Sequence, residues 1–160
     1  MLKLRTYQPS AADIIVTWCR DPRVFYQWSG NHFATFPIAA EDFRFPEDHM
    51  SCTAFEEDGP VGFFTLNPQK GFPNNLRVGY VILDPARRGR GYGQEMLRLA
   101  LDFAFGLCKA DAATLGVFEH NVSAYNCYRA VGFEDSPIPR RPVRLMDEDW
   151  TYIDMTCNRR

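Results

Sequence analysis

The residues Asp84 to Met96 read DPARRGRGYGQEM, and how this stretch is read decides the rest of the chain. It follows Leu76 to Leu83, ending in RVGYVIL, whose last part is apolar on both faces and so predicts a central strand. It leads at once into a helical pattern. Glu95, Arg98, Asp102 and Lys109 form a polar stripe, while Met96, Leu97, Leu99, Ala100, Phe103, Ala104 and Leu107 fill the rest. A strand, a turn with glycines at 89, 91 and 93, and an immediate helix form an arrangement that receives an anion. The helix's first N–H groups lack intrahelical partners, its dipole end is positive, and glycine lets backbone come close. Arg87, Arg88 and Arg90 add charge at the rim.

Spacing separates this turn from other phosphate loops. A P-loop ends in Gly-Lys-Ser/Thr, whereas Gly93 is followed by Gln94-Glu95. The dinucleotide fingerprint G-x-G-x-x-G needs an acidic residue closing the next strand. Here the glycines alternate, and Asp111 precedes the next strand instead of ending it. A nucleic-acid surface is argued against by the balance of 18 Lys+Arg and 20 Asp+Glu, a net charge of -2, which leaves no overall field to draw the protein onto phosphate. The plainer alternative is an exposed, arginine-rich turn.

The remaining composition predicts a single α/β or α+β domain over residues 1–160, 46% hydrophobic and 14% aromatic, enough to bury a core. The five cysteines, at 19, 52, 108, 127 and 157, are dispersed, with no Cys-x-x-Cys pair and no zinc spacing. They read as reduced thiols, and no metal site is expected. MLKLRTYQPS lacks the apolar segment of a signal peptide, and no run is long enough to cross a bilayer. A cytoplasmic protein without membrane association is expected.

Along the chain, Leu2 to Tyr7 alternates as a first strand, and Ser10 with Asp13 resembles a helix start. Pro22 to Met50 reads as short helices and loops carrying many aromatics. Ser51–Glu57 and Val61–Leu66 form a hairpin around Glu57-Asp58-Gly59-Pro60, and Asn67 to Asn75 reads as a loop because it holds two prolines and a glycine. Ala112–Val117 is a strand and Asn121–Val131 a helix ended by Gly132. Final strands follow, around Phe133 and from Trp150 to Thr156, with a Pro/Arg-rich loop between them.

Two segments together resemble a known family. Arg88-Gly89-Arg90-Gly91-Tyr92-Gly93 is similar to the Arg/Gln-x-x-Gly-x-Gly/Ala signature of the GNAT N-acetyltransferases, and Asn121-Val122-Ser123-Ala124-Tyr125-Asn126-Cys127-Tyr128 with Gly132-Phe133 resembles their Asn-x-x-Ala-x-x-x-Tyr and Gly-Phe segment. The resemblance implies a mixed, mostly antiparallel central sheet of about six to seven strands with helices on both faces and splayed central strands, an α/β (α+β) fold. It implies transfer of acetyl from acetyl-CoA directly to a primary amine, with no metal. The acceptor, a small molecule or a protein amino group, is not specified, and a homodimer stays open. A CoA-binding module of the same fold without turnover is the alternative.

By the same resemblance, Val81, Ile82 and Leu83 hold the pantetheine arm through backbone groups, and Arg88, Gly89, Arg90, Gly91, Tyr92 and Gly93 hold the pyrophosphate. An N–H near Ile82 or Leu83 polarises the thioester carbonyl. Tyr128 falls at the position of the general acid that protonates the leaving thiolate, and Asn121 contacts the coenzyme or caps its helix. One departure stands out: Leu115-Gly116-Val117 replaces the Leu-Glu-Val of relatives resembling the ribosomal-protein alanine acetyltransferases. Glycine takes no proton, so the base is sought nearby, with Glu119 first, then His120 and Glu56 or Glu57. Tyr125 either lines the cleft or packs, and Trp28, His32, Phe33 and Phe36 form either an acceptor pocket or a satellite core.

Overall fold

A computed structural model describes residues 1–160. One sheet runs through the chain, built from β1 (Lys3–Thr6), β2 (Met50–Glu56), β3 (Gly59–Gln69), β4 (Phe72–Leu83), β5 (Ala112–Phe118), β6 (Glu134–Asp135), β7 (Arg141–Leu145) and β8 (Glu148–Asn158). Its order is β1-β2-β3-β4-β5-β8, and β6 and β7 share the outer edge of β8 at different heights, so the sheet is seven positions wide. Every pairing is antiparallel except β4 with β5. That parallel pair is joined by the crossover through α3 (Tyr92–Asp102) and a π-helical turn, Phe103–Leu107, as parallel neighbours require.

Helices cover both faces. On one, α3 and α4 (Val122–Ala130) press Met96, Leu97 and Tyr128 onto Leu66, Val78, Leu115 and Met155. On the other, α1 (Ala12–Ile15), flanked by 3-10 turns, and α2 (Pro22–Ser29) bury Ile15, Trp18 and Phe25 with Phe33, Phe43, Phe63 and Ile82. Helix α2 starts where Asp21 accepts the Val24 N–H at 2.9 Å with Pro22 in the first turn, a cap and a preset φ acting together.

The pairing of β3 with β4 contains a bulge: Phe63 faces Ile82 and Thr65 faces Gly79, so β4 holds one extra residue. Tyr80 absorbs it at φ 51. An extra residue reverses the alternation of side chains. Val78 therefore joins the α3/α4 core, and Ile82, four residues on, joins the α1/α2 core.

Three local expectations are corrected. Ser10 does not cap a helix; it lies inside the 3-10 turn Pro9–Ala11, whose capping position is Gln8. Residues 67–75 are not a loop, because β3 and β4 continue as a long hairpin turning at Lys70-Gly71. Pro68 is accommodated at a register shift, and Pro73 lies ahead of Asn75, where pairing with β5 begins. The segment between Ser136 and Asp149 is not all loop: β7 and a tight turn at Met146-Asp147, both with positive φ, form a hairpin with β8.

Candidate active site

β4 and β5 pair only from Asn75–Arg77 to Ala112–Thr114. Beyond that they diverge, leaving backbone groups on the facing edges without a ladder partner. The opening is a cleft of about 710 Å³, walled by Val78–Leu83 of β4 and Leu115–Phe118 of β5. Val81, Ile82 and Leu83 therefore lie where the resemblance puts the pantetheine arm.

The cleft's mouth is the start of α3. Gly89 and Gly91 stand at φ 74 and 82, and Gly91 is the capping residue. No atom lies within 4 Å of where their Cβ atoms would be, so glycine is needed here for its dihedral, not for space. Gly93 has the opposite reason: a Cβ there would stand 3.2 Å from both Cys127 Sγ and Leu83 Cδ1, so its smallness lets α3 approach α4 and β4. Arg88, Gly89, Gly91 and Gly93 line the cleft. Arg90 and the Tyr92 side chain do not. Tyr92 donates to Glu56 at 2.8 Å, and Arg87 pairs with Glu56 and Asp58, tying the turn to the β2–β3 hairpin and leaving Arg88 toward the cleft.

The opposite wall is α4. Asn121 accepts the Ala124 N–H at 3.4 Å and also lines the cleft, so the helix cap and a cleft-lining residue are the same side chain. Tyr128 lines the cleft and is otherwise buried, its ring edge-on to Phe133. Burial pushes its phenol well above the ordinary value, with smaller contributions from Cys127 and Tyr152, so it keeps its proton at working pH. Tyr125 turns away to donate to Asp135 at 2.8 Å.

Glu119 does not line the cleft; it is exposed and bound to Arg140 at 2.7 Å. His120 also lies outside, against Phe118 and Trp150, and burial and then Arg23 lower its pKa. The aromatic group divides. Phe33 is buried in the satellite core, His32 bonds the Arg44 carbonyl, and Trp28 lines the cleft while donating to the Tyr80 carbonyl at 2.8 Å.

Three cleft residues carried no signal in the sequence. His49, just ahead of β2, holds Asp48 through Nδ1 at 2.8 Å. Arg77 sits at the base of the splay and donates to the Tyr152 hydroxyl at 2.6 Å. Tyr152 explains Gly116: any Cβ at 116 would overlap its hydroxyl. The space a glutamate would occupy is taken by a phenol reaching over from β8. Only the spacing of β5 against β8, Gly116 opposite Asp154 and Val117 opposite Ile153, brings these residues together.

The family model of the acetyltransferase (GNAT) family matches residues 15–133. N-alpha-acetyltransferase RimI of Mycobacterium tuberculosis is 38% identical over 77 residues, 48% of this chain and 46% of that protein, so the chain spans about half of that relative. Peptidyl-lysine N-acetyltransferase YjaB of Salmonella typhimurium is 27% identical over 131 residues, 81% of each. Among solved structures, spermidine N-acetyltransferase of Vibrio cholerae in complex with CoA and spermine matches with a TM-score of 0.81 at 14% identity, over 98% of this chain and 95% of that one; this shows a shared fold. With a splayed parallel pair opening onto a glycine-started helix, and a family match over most of its length, the chain belongs to the GNAT acetyltransferase family, the acetyl-CoA-dependent acyltransferases that act on amines.

Proposed function

We propose that residues 1–160 act as one catalytic domain that transfers the acetyl group of acetyl-CoA to an amine by direct attack. The observation that carries this reading is the cleft itself: it joins the unladdered edge of β4, the free amides at the start of α3 and the protonated Tyr128 in one space. The pyrophosphate sits on the Gly89–Gly93 turn beside Arg88, where helix amides and dipole favour an anion. The pantetheine arm runs along Val81–Leu83 and takes up the backbone hydrogen bonds that β5 leaves open. Asn121 closes the far wall.

Tyr128 acts as general acid toward the departing thiolate. A thiol of pKa near 8.5 leaves as an anion that a phenol can protonate as charge develops. We place the base at His49 instead of Glu119, since Glu119 is engaged by Arg140 outside the cleft and His49 lines it with its ring held by Asp48. An acceptor amine is mostly protonated at neutral pH and needs its proton removed before attack.

Release of CoA thiol from acetyl-CoA, measured against a panel of amines, tests the reading. Acceptor-dependent release is expected, reduced about 10²- to 10⁴-fold by His49→Gln if it is the base. Tight acetyl-CoA binding with no release for any amine would establish a binding module instead. Full activity of His49→Gln at every pH would return the base to another group.

A further inference from the structure

The acceptor end of the cleft has an unusual polarity for an enzyme that binds amines. Among the residues that line the whole cleft none is Asp or Glu, while Arg77, Arg88 and His49 all do. Arg88 belongs to the coenzyme mouth, but Arg77 lies at the base of the splay, on the α1/α2 face of the sheet with Tyr152 and the Gly116 that Tyr152 covers. An acceptor with several cationic groups would meet a guanidinium there with no carboxylate on the wall to pair with it, and an unpaired buried cation is costly.

Arg77 donates to the Tyr152 oxygen at 2.6 Å. A guanidinium has donors only, so the phenol's own O–H cannot be returned to Arg77 and has to be given elsewhere. Tyr152 lines the cleft, so that proton is available to a ligand oxygen. Arg77 is held from behind by Asp154 at 3.5 Å, and Asp154 is itself bound by Arg141. Two guanidiniums therefore share one nearly buried carboxylate, and the cluster keeps a net positive charge. Arg141 also lies over the Tyr152 ring, 4.6 Å from its centre, fixing the ring above Gly116. The wall thus presents an N–H donor on a cation and an O–H donor side by side, the pattern that binds a carboxylate.

We infer that the acceptor is a small amine bearing a carboxylate, an amino acid or a close analogue, whose carboxylate is held by Arg77 and Tyr152 while its amine faces the thioester. Trp28, Tyr80 and Phe118 supply apolar walls for its body. This inference rests on the acetyl-transfer reading, and Gly116 is its structural condition, because a side chain there would displace Tyr152.

The test compares free amino acids with their amides, and both with spermidine, as acceptors in thiol release and as ligands in calorimetry with CoA present. Free acids are expected to exceed the matching amides by about 10- to 100-fold in kcat/KM, the range of a lost charge-assisted contact. Arg77→Gln, which removes the cation, and Tyr152→Phe, which removes the hydroxyl and keeps the ring over Gly116, are each expected to lower that ratio toward one with acetyl-CoA affinity retained. Amides or spermidine preferred over every free acid would overturn the inference and leave acetyl transfer standing. Carboxylate-dependent binding without thiol release would do the reverse. If no free acid binds or reacts, or if both variants keep the wild-type ratio, the carboxylate site does not exist.

Discussion

Tyr128 shows how a side chain's environment sets its chemistry. Its burial between α4 and the sheet raises the phenol pKa by desolvation first, so the acid form persists through the alkaline range. Tyr128→Phe should lower turnover by about 10²-fold or more with coenzyme affinity little changed; wild-type rates across pH 6 to 9 would remove it from the mechanism. Buried thiols give a second prediction. Burial pushes Cys19 up to about 12 and Cys52 to about 11 from an ordinary value of 9.0. Unfolded thiols release protons above pH 9 while the folded ones still hold them, so stability is unaffected below that value and falls as pH rises from it toward the folded values. At pH 10.5 the loss is about 2 kcal/mol per thiol. Thermal melts from pH 7 to 10.5 should show a decline that flattens in Cys19→Ala; a flat wild-type profile would contradict the assigned burial effect. Tyr128 and the glycine turn, both of which line the cleft, were legible in the sequence because each belongs to a local motif. His49, Arg77 and Tyr152 were not, because what they do depends on partners 1, 75 and 75 residues away, or on a cleft wall no local pattern describes.

Among the elements, the turn before α3 and the middle of β5 use glycine for different ends. At Gly91 the dihedral is the requirement, so Gly91→Leu should cost about 1–2 kcal/mol of stability and reduce acetyl-CoA affinity at least about tenfold, as the first amides of α3 lose their aim. Unchanged affinity by calorimetry would remove the pyrophosphate from this turn. At Gly116 the requirement is space. Gly116→Ala should force Tyr152 off Arg77 and lower stability by about 1–3 kcal/mol, seen as a reduced Tm together with loss of turnover; a variant as stable and active as wild type would show that Tyr152 moves aside freely. Sequence patterns located β5 and α4 to within a residue or so, since a fully buried strand and an amphipathic helix carry strong periodicity, and they found α3, but the helical pattern read on to Lys109 ends as α-helix at Asp102 and continues only as a π-helical turn to Leu107. They missed the extension of the β3–β4 hairpin through Pro68 and Pro73, where prolines mark a bulge and an unpaired edge instead of a break.

For the molecule as a whole, the cleft is a discontinuity in an otherwise continuous sheet, and a ligand that bridges it should stiffen the halves together. CoA at about 100 times its Kd should add about 2.7 kcal/mol and raise Tm by roughly 5–10 °C; spermidine alone should not, and no shift with CoA would argue against binding in the splay. No helix is long and apolar enough to cross a membrane, and all five cysteines are free. The sequence by itself determined the family and the shape of the turn proposed to hold the coenzyme, because such a turn is built from neighbouring residues whose conformations and amides are set locally by glycine and by the start of a helix. Only the tertiary structure decided the wall proposed for the acceptor: DPARRGRGYGQEM is read within one local stretch, but Arg77 on β4, Gly116 on β5 and Tyr152 on β8 meet solely through strand order and register, and such long-range pairing leaves no trace in any short stretch of chain.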